Sequence, residues 1–356
     1  MAVLLFLPVS IIALNFFSNE SVEQGRRSKM FMVISVILIT FVMGMRNMAA
    51  GMDTKIYSAA FEAAAEYDSL REYLDRSDVF ENGILMSELG FSVFVWLLSR
   101  VFSYHRYFLL AVSLLVSICV GRFVWKNSSD SLTSLIVFVC LGSFQFCMSA
   151  IRQSMAMAIC LLAYEHVKAR NPIRFALMVL LAMLFHKSAI VFFAVYFVYY
   201  LKFNWRYLIA TVGGLALFFA FSNEIATLYN EIMLEDYDTA ETFESGGFFV
   251  ILVYALCIVA ALMFNRKMRE DKQQAMPFYL SLIGLSVYVL RFFSAQIIER
   301  ISYYFVFFLM ILLPSTLSQL RPRDRRFVSM LFAIFAMALY AYRISKGIFS
   351  LYKLTW

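Results

Sequence analysis

A histidine and a lysine stand side by side at 186–187, inside the otherwise apolar stretch MLFHKSAIVFF (183–193). The chain holds three histidines in 356 residues, and imidazole is the side chain whose ordinary pKa best suits proton transfer near neutral pH. His186 is therefore the expected catalytic base, with Lys187 as a headgroup or phosphate contact. Other groups recur at helical spacing. Arg300, Tyr303 and Tyr304 stand at i, i+3 and i+4, which places a guanidinium and two phenols on one helix face. Asp53, Tyr57 and Phe61 follow at i, i+4 and i+8, one face of a helix beginning near Asp53. Asp53 could be no more than the N-cap of that helix, and Gly51 permits a tight turn into it. Arg46, Arg152 with Gln153, and Arg291 lie at the ends of apolar runs. Guanidinium groups bind phosphate oxygens through charge-assisted, often bidentate, hydrogen bonds. Asp53 and Glu299 are the alternative bases.

Hydrophobic residues make up 62% of the chain and charged residues 15%, far from the composition of a soluble domain. Runs such as Met30–Met45, Tyr107–Val120, Phe248–Phe264 and Phe327–Tyr340 are close to the length that crosses a hydrocarbon core of ~30 Å. The expected fold is all-α: a single polytopic membrane domain over 1–356. The first apolar run, Met1–Phe17, has no basic residue ahead of it and no cleavage pattern after it, so it is read as the first span. The five cysteines sit in apolar runs without metal-ligand spacing; neither metal nor cofactor is expected. The net charge of +7 belongs to the membrane edges of loops, not to a nucleic-acid surface.

Charge sorts the loops. GRRSK (25–29), GRFVWK (121–126), KARNPIR (168–174), KFNWR (202–206), NRKMREDK (265–272) and RPRDRR (321–326) are basic, whereas 46–90 and 223–247 are acidic. Basic loops belong inside. The thirteen-residue run 90–102 is too short to span; as a re-entrant or amphipathic segment within an outer loop, 46–106, it leaves every basic gap inside. The acidic stretch 223–246 is then a second outer loop, and both termini lie outside. Twelve spans follow, at roughly 1–17, 28–45, 107–124, 131–149, 152–167, 173–186, 188–202, 206–222, 247–264, 276–292, 299–318 and 327–345. The arms 173–186 and 188–202 are each only about fourteen residues, or ~21 Å of helix, so their apex at His186 should be recessed beneath the outer surface.

This topology gathers Arg46, Arg152, Gln153, His186, Lys187, Arg291, Glu299 and Arg300 on the outer side, where the positive-inside rule gives no reason for cations. A charge at membrane depth costs about 2.5–3.5 kcal/mol on insertion scales. Each arginine alone could snorkel to headgroups; four on one face fit a shared anionic ligand better. The acidic pattern EDYD (235–238) is read as solvated charge, and His105 and His166 are assigned no role.

The order R46-x4-G51-x-D53-x3-Y57-x3-F61, then E88-L-G-F91, I151-R-Q153, L184-F-H-K-S-A-I190 and E299-R-I-S-Y-Y304 resembles the EpsG family of Wzy-like bacterial exopolysaccharide and capsule polymerases. It departs from the usual pattern at Phe91, where tyrosine is more common, and at Met48–Ala50. The resemblance implies a GT-C-like membrane glycosyltransferase, metal-independent, at the outer face of the cytoplasmic membrane. It would join oligosaccharide repeat units carried on undecaprenyl pyrophosphate, which serve as donor and acceptor. Membrane lipid, a chain-length regulator and a flippase are the expected partners, and nucleic acid is not. Arg46, Arg152, Arg291 and Arg300 would hold the pyrophosphate, with Gln153, Lys187, Tyr57 and Tyr303 toward pyrophosphate or glycan. Two other readings stay open: a lipid-linked oligosaccharide flippase or other transporter, and a ligase using the same donor.

Overall fold

The computed structural model describes residues 2–17, 29–77, 88–221, 224, 227, 247–290 and 296–354. These residues are helical, apart from loops and one isolated antiparallel bridge between Arg46 and Leu354. A chain this apolar has little water to satisfy its backbone, and helices satisfy their own N–H and C=O groups. In order they are α1 (Ala2–Phe17), α2 (Lys29–Gly44), α3 (Thr54–Ala64), α4 (Leu70–Ser77), α5 (Leu89–Val101), α6 (His105–Asn127), α7 (Ser131–Cys140) and α8 (Ser143–Ser149). There follow α9 (Ile151–Lys168), α10 (Pro172–Met183), a 3-10 helix (Lys187–Phe193), α11 (Ala194–Val198) and α12 (Trp205–Ala220). The last are α13 (Gly247–Phe264), α14 (Lys267–Glu270), α15 (Lys272–Val289), α16 (Gln296–Val306), α17 (Leu309–Leu317), α18 (Pro322–Lys346) and a 3-10 turn (Ile348–Leu351).

Each expected span coincides with a helix or a broken pair, but length separates them. Among the described residues, three helices, α6, α13 and α18, are long and apolar enough to cross a membrane. Two bent pairs also qualify, α7 with α8 (52° at the break) and Glu299–Val306 with α17 (41°), which makes up to five. Helices such as α1, α2 and α10, of 12–16 residues, rise only about 18–24 Å.

The hairpin at 173–202 turns at Leu184–His186, with α10 packed on the returning 3-10 helix. That return is not the single α-helix expected for 188–202. Val191, Phe192 and Phe193 are weak α-formers, and a 3-10 rise of about 2.0 Å per residue carries seven residues across about 14 Å instead of about 10 Å. Phe175 of α10 meets the rings of Phe192, Phe193 and Tyr196, with centroids at 6.2, 6.0 and 5.4 Å. These contacts fix the arm.

Helix α9 serves as a ruler, because Arg152 is its second residue and Lys168 its last. Sixteen residues of helix separate them by about 24 Å. At the Lys168 end four of the basic gaps converge. Lys168 Nζ donates to Asn127 Oδ1 (2.8 Å), Lys126 pairs with Glu165 (2.7 Å), and Arg170 Nε donates to the Tyr199 hydroxyl (3.2 Å). Arg269 lies over the Phe203 ring, and Tyr279 hydrogen-bonds the backbone of Lys202 and Asn204. A cleft of about 500 Å³ opens there, lined by Trp125, Lys126, Glu165, Lys168, Ala169 and Gln273. Its charges are already paired, and it lies at the far end from the residues with chemical potential.

Helix α5 is thirteen residues long, as the short run 90–102 implies. It is tied down by Trp96 Nε1 to Tyr67 O (3.2 Å) and by Arg100 Nη2 to the carbonyls of Ala64 (3.1 Å) and Ala65 (2.7 Å). Its first turn meets the hairpin apex, where Phe91 N donates to Leu184 O (3.2 Å). Gly90 allows this approach, since a Cβ there would stand 2.7 Å from both Leu184 O and Leu184 Cβ.

Candidate functional site

A single carboxylate joins three elements at the Arg152 end of α9. Glu88, just before α5, is 3% exposed. Its Oε2 accepts from Arg152 Nη1 at 2.5 Å, and its Oε1 receives His186 Nδ1 at 3.0 Å and the Lys187 backbone N–H at 3.4 Å. Burial by itself would raise the carboxyl's pKa. The hydrogen bond from His186 and the charge of Arg152 outweigh it and bring the value down to about 2. Glu88 is thus a carboxylate at any physiological pH.

The other partners complete the network. Arg152 Nε donates to the Tyr57 hydroxyl (2.6 Å), and its guanidinium carbon lies 5.5 Å from the Tyr57 ring centre. Tyr57 meets Phe91 edge-on at 5.2 Å. Phe91 is wholly buried among rings. His186 is 2% exposed, and its Nε2 has no hydrogen-bond partner. The Ser188 hydroxyl pairs with that of Tyr304 at 2.9 Å, while Gln153 Nε2 donates to Arg300 O (2.8 Å). Helices α3, α9 and α16, the approach to α5 and the hairpin apex therefore meet at one place.

The remaining expected residues divide. Arg46 is buried in its own turn, donating through Nε to Thr54 Oγ1 (3.1 Å) and through Nη1 to Met43 O (2.5 Å). Thr54 in turn donates to Ala50 O (2.8 Å). Gly51 makes this turn with φ +97°, and a Cβ there would meet Met148 O at 2.5 Å. Asp53 precedes α3, but its carboxylate does not cap the helix; it lies in the charge field of Arg46. Tyr303 does not share the environment of Tyr304. It stacks on Phe146 (4.0 Å) and meets Tyr288 edge-on (6.0 Å). Glu299 and Arg343 are charged neighbours of Tyr303, and Arg343 lies against the helix break at Gly142. The i, i+3, i+4 face thus splits, and Tyr304, not Tyr303, reaches the His186 turn. Arg291 and the acidic stretch 228–246, with EDYD, lie outside the described residues.

Two charged residues of these groups have no role in the sequence reading. Glu88 belongs to the E88-L-G-F91 pattern, yet its partner His186 is 98 residues away and no spacing rule links them. Arg343 belongs to no motif; the signal was a cation inside the last apolar run. Among the described residues, no three His, Cys, Asp or Glu side chains gather where they could hold a metal ion.

These five motif segments, scattered from 46 to 304 in sequence, meet around Glu88 or in the turns beside it. The EpsG family model matches residues 29–355, nearly the whole chain. The chain belongs to the EpsG family. No curated protein and no solved structure matches it. All five EpsG-like segments lie within the matched range, as do Glu88 and the tail residues up to Leu354 that meet Arg46.

Proposed function

We propose that this EpsG-family chain is a polysaccharide polymerase of the integral-membrane, GT-C-like class, with twelve spans and its site at the outer face of the bacterial cytoplasmic membrane. It joins oligosaccharide repeat units borne on undecaprenyl pyrophosphate, building exopolysaccharide, capsule or O-antigen polymer. The observation that carries this reading is the buried His186–Glu88–Arg152 network, set at the opposite end of α9 from the converging basic loops. Basic loops face the cytoplasm, so the network belongs to the outer side.

In the reaction, a sugar hydroxyl of one lipid-linked unit attacks the anomeric carbon of another. The new C–O bond forms as the bond to pyrophosphate breaks through an oxocarbenium-like transition state, and the electron pair leaves on the pyrophosphate oxygen. The hydroxyl proton passes to His186. Arg152, with Arg300 and Lys187, forms the cationic side that steadies the departing charge, and Gln153 and Tyr57 hold it in place; Arg46 and Tyr303 support it from the neighbouring packing, and Arg291 is assigned as a further pyrophosphate contact. Asp53 and Glu299 remain the runner-up bases. His186 ranks ahead of them because one of its ring nitrogens is buried without a partner.

Arg152→Ala and His186→Ala tested in cells, with polymer length read on gels, decide the matter. Both should leave single repeat units on the lipid carrier; full-length polymer from both sinks the proposal. The transporter alternative differs in where the units accumulate, inside for a lost flippase and outside for a lost polymerase. A ligase would leave finished polymer on the carrier.

A further inference from the structure

Glu88 does more than neutralise Arg152. An ionised carboxylate has no hydrogen to donate, and Glu88 Oε1 lies 3.0 Å from His186 Nδ1. Nδ1 must therefore carry a hydrogen, so that in the neutral imidazole the lone pair is on Nε2. That nitrogen is the buried atom with no hydrogen-bond partner. We propose that Glu88 is a positioning residue that fixes the His186 tautomer, aims Nε2 as the acceptor of the sugar hydroxyl proton, and stabilises the imidazolium that forms. The inference rests on the polymerase reading above and deepens it.

The geometry suits this task. Oε1 is shared by the His186 ring and the Lys187 backbone N–H, so the carboxylate grips both the ring and the turn that carries it. Oε2 is held by Arg152, which Tyr57 holds in turn. Before reaction the carboxylate and guanidinium balance each other, and the proton acceptor is the neutral form of the imidazole. When the proton moves from the sugar oxygen to Nε2, the site gains one positive charge as pyrophosphate departs with its electron pair. Glu88 then faces an imidazolium at hydrogen-bond distance. The same carboxylate–imidazole arrangement orients the base in hydrolytic triads.

Replacing the carboxylate with its isosteric amide separates this role from a purely structural one. A glutamine at 88 has one oxygen, and the permanently charged Arg152 claims it. Its NH2 group then faces His186 Nδ1, which must become the acceptor, and the hydrogen moves to Nε2. Glu88→Gln should thus invert the tautomer, whereas Glu88→Asp keeps the charge and the native one.

The test is 15N NMR of histidine-labelled full-length protein in detergent. The chain has three histidines, and His186 is assigned by loss of its signals in His186→Gln. The wild-type protein should show a pyridine-like Nε2 and a pyrrole-like Nδ1, and Glu88→Gln the reverse. In cells, Glu88→Gln should lower polymer formation about a hundredfold or more, the scale of general acid–base catalysis, with Glu88→Asp intermediate. A pyrrole-like Nε2 at His186 in wild type overturns the inference. Full polymer from Glu88→Gln together with loss of polymer in His186→Gln overturns the role of Glu88 alone. Full polymer from His186→Gln instead removes the base assignment beneath it.

Discussion

Tyr57 separates two contributions that its neighbours combine. Its hydroxyl accepts from Arg152 Nε and its ring packs on Phe91, so Tyr57→Phe removes the first and keeps the second. A hydrogen bond to a charged group contributes about 1.5–3 kcal/mol, which corresponds to roughly a ten- to hundredfold fall in polymerisation rate with normal amounts of folded protein. Unchanged polymer would show that Arg152 needs no help from α3. Glu88 gives a pH dependence with a definite sign. Its folded carboxyl is depressed, to about 2 from an ordinary value of 4.5, so its stabilisation is full above about 4.5 and is lost as pH falls toward 2. The difference in thermal stability between wild type and Glu88→Gln should be constant from pH 7 to 5 and then shrink on acidification. A difference that grows instead would mean the carboxylate is not ionised in the fold. Residues also differ in how far the sequence shows them. His186 and Arg152 stand out as charges at apolar run ends that the charge pattern of the loops predicts to lie outside. Glu88 does not, because an acid beside an acidic loop looks like solvated charge until the fold brings residue 186 against it.

Between elements, the site depends on how closely the approach to α5 meets the hairpin apex. Gly90 has no room for a side chain beside Leu184. Gly90→Val must push α5 away from the turn and pull Glu88 off His186; overpacking of this kind costs about 1–3 kcal/mol. The expected outcome is protein that inserts and purifies but makes little polymer, with the His186 tautomer signature lost. A second junction involves the chain's last residues. Asn47 N donates to Lys353 O (3.0 Å), Lys353 N donates to Asn47 Oδ1 (2.9 Å), and the Tyr352 hydroxyl donates to Val42 O (2.6 Å). Deleting residues 347–356 should loosen the Arg46 turn and raise proteolysis between α2 and α3. Equal protease resistance would make the tail a passenger. Helix positions were readable from the apolar runs and short loops, and α5 was readable from its thirteen residues. The 3-10 form of 187–193 and the breaks within 131–149 and 299–317 were not. The 3-10 arm is held by the rings of Phe175, Phe192 and Phe193, and the break within 131–149 falls at Gly142, whose φ of +104° leaves the space a Cβ would fill to Arg343; periodicity encodes neither.

For the whole molecule, sidedness is the property from which the site takes its meaning. The charge pattern predicts that the basic gaps lie together on one side, and the structure brings four of them together at the Lys168 end of α9. The count of spans is less visible, because many helices are too short to cross a ~30 Å core unaided while their ends still alternate in charge. If the basic end faces the cytoplasm, single cysteines report it directly. The five native cysteines are free and buried, which leaves a quiet background for a membrane-impermeant maleimide. Lys55 is exposed on α3, next to the site turn, and Arg325 is exposed at the start of α18, within a basic gap. In intact cells Lys55→Cys should label and Arg325→Cys should not; after permeabilisation both should label. Labelling of Arg325→Cys alone in intact cells would turn the molecule over and place the His186 network on the cytoplasmic side, where a polymerase acting on exported lipid-linked units has no substrate. Its acid–base network would then need a different reaction, since the same geometry would face units that have not yet crossed the membrane.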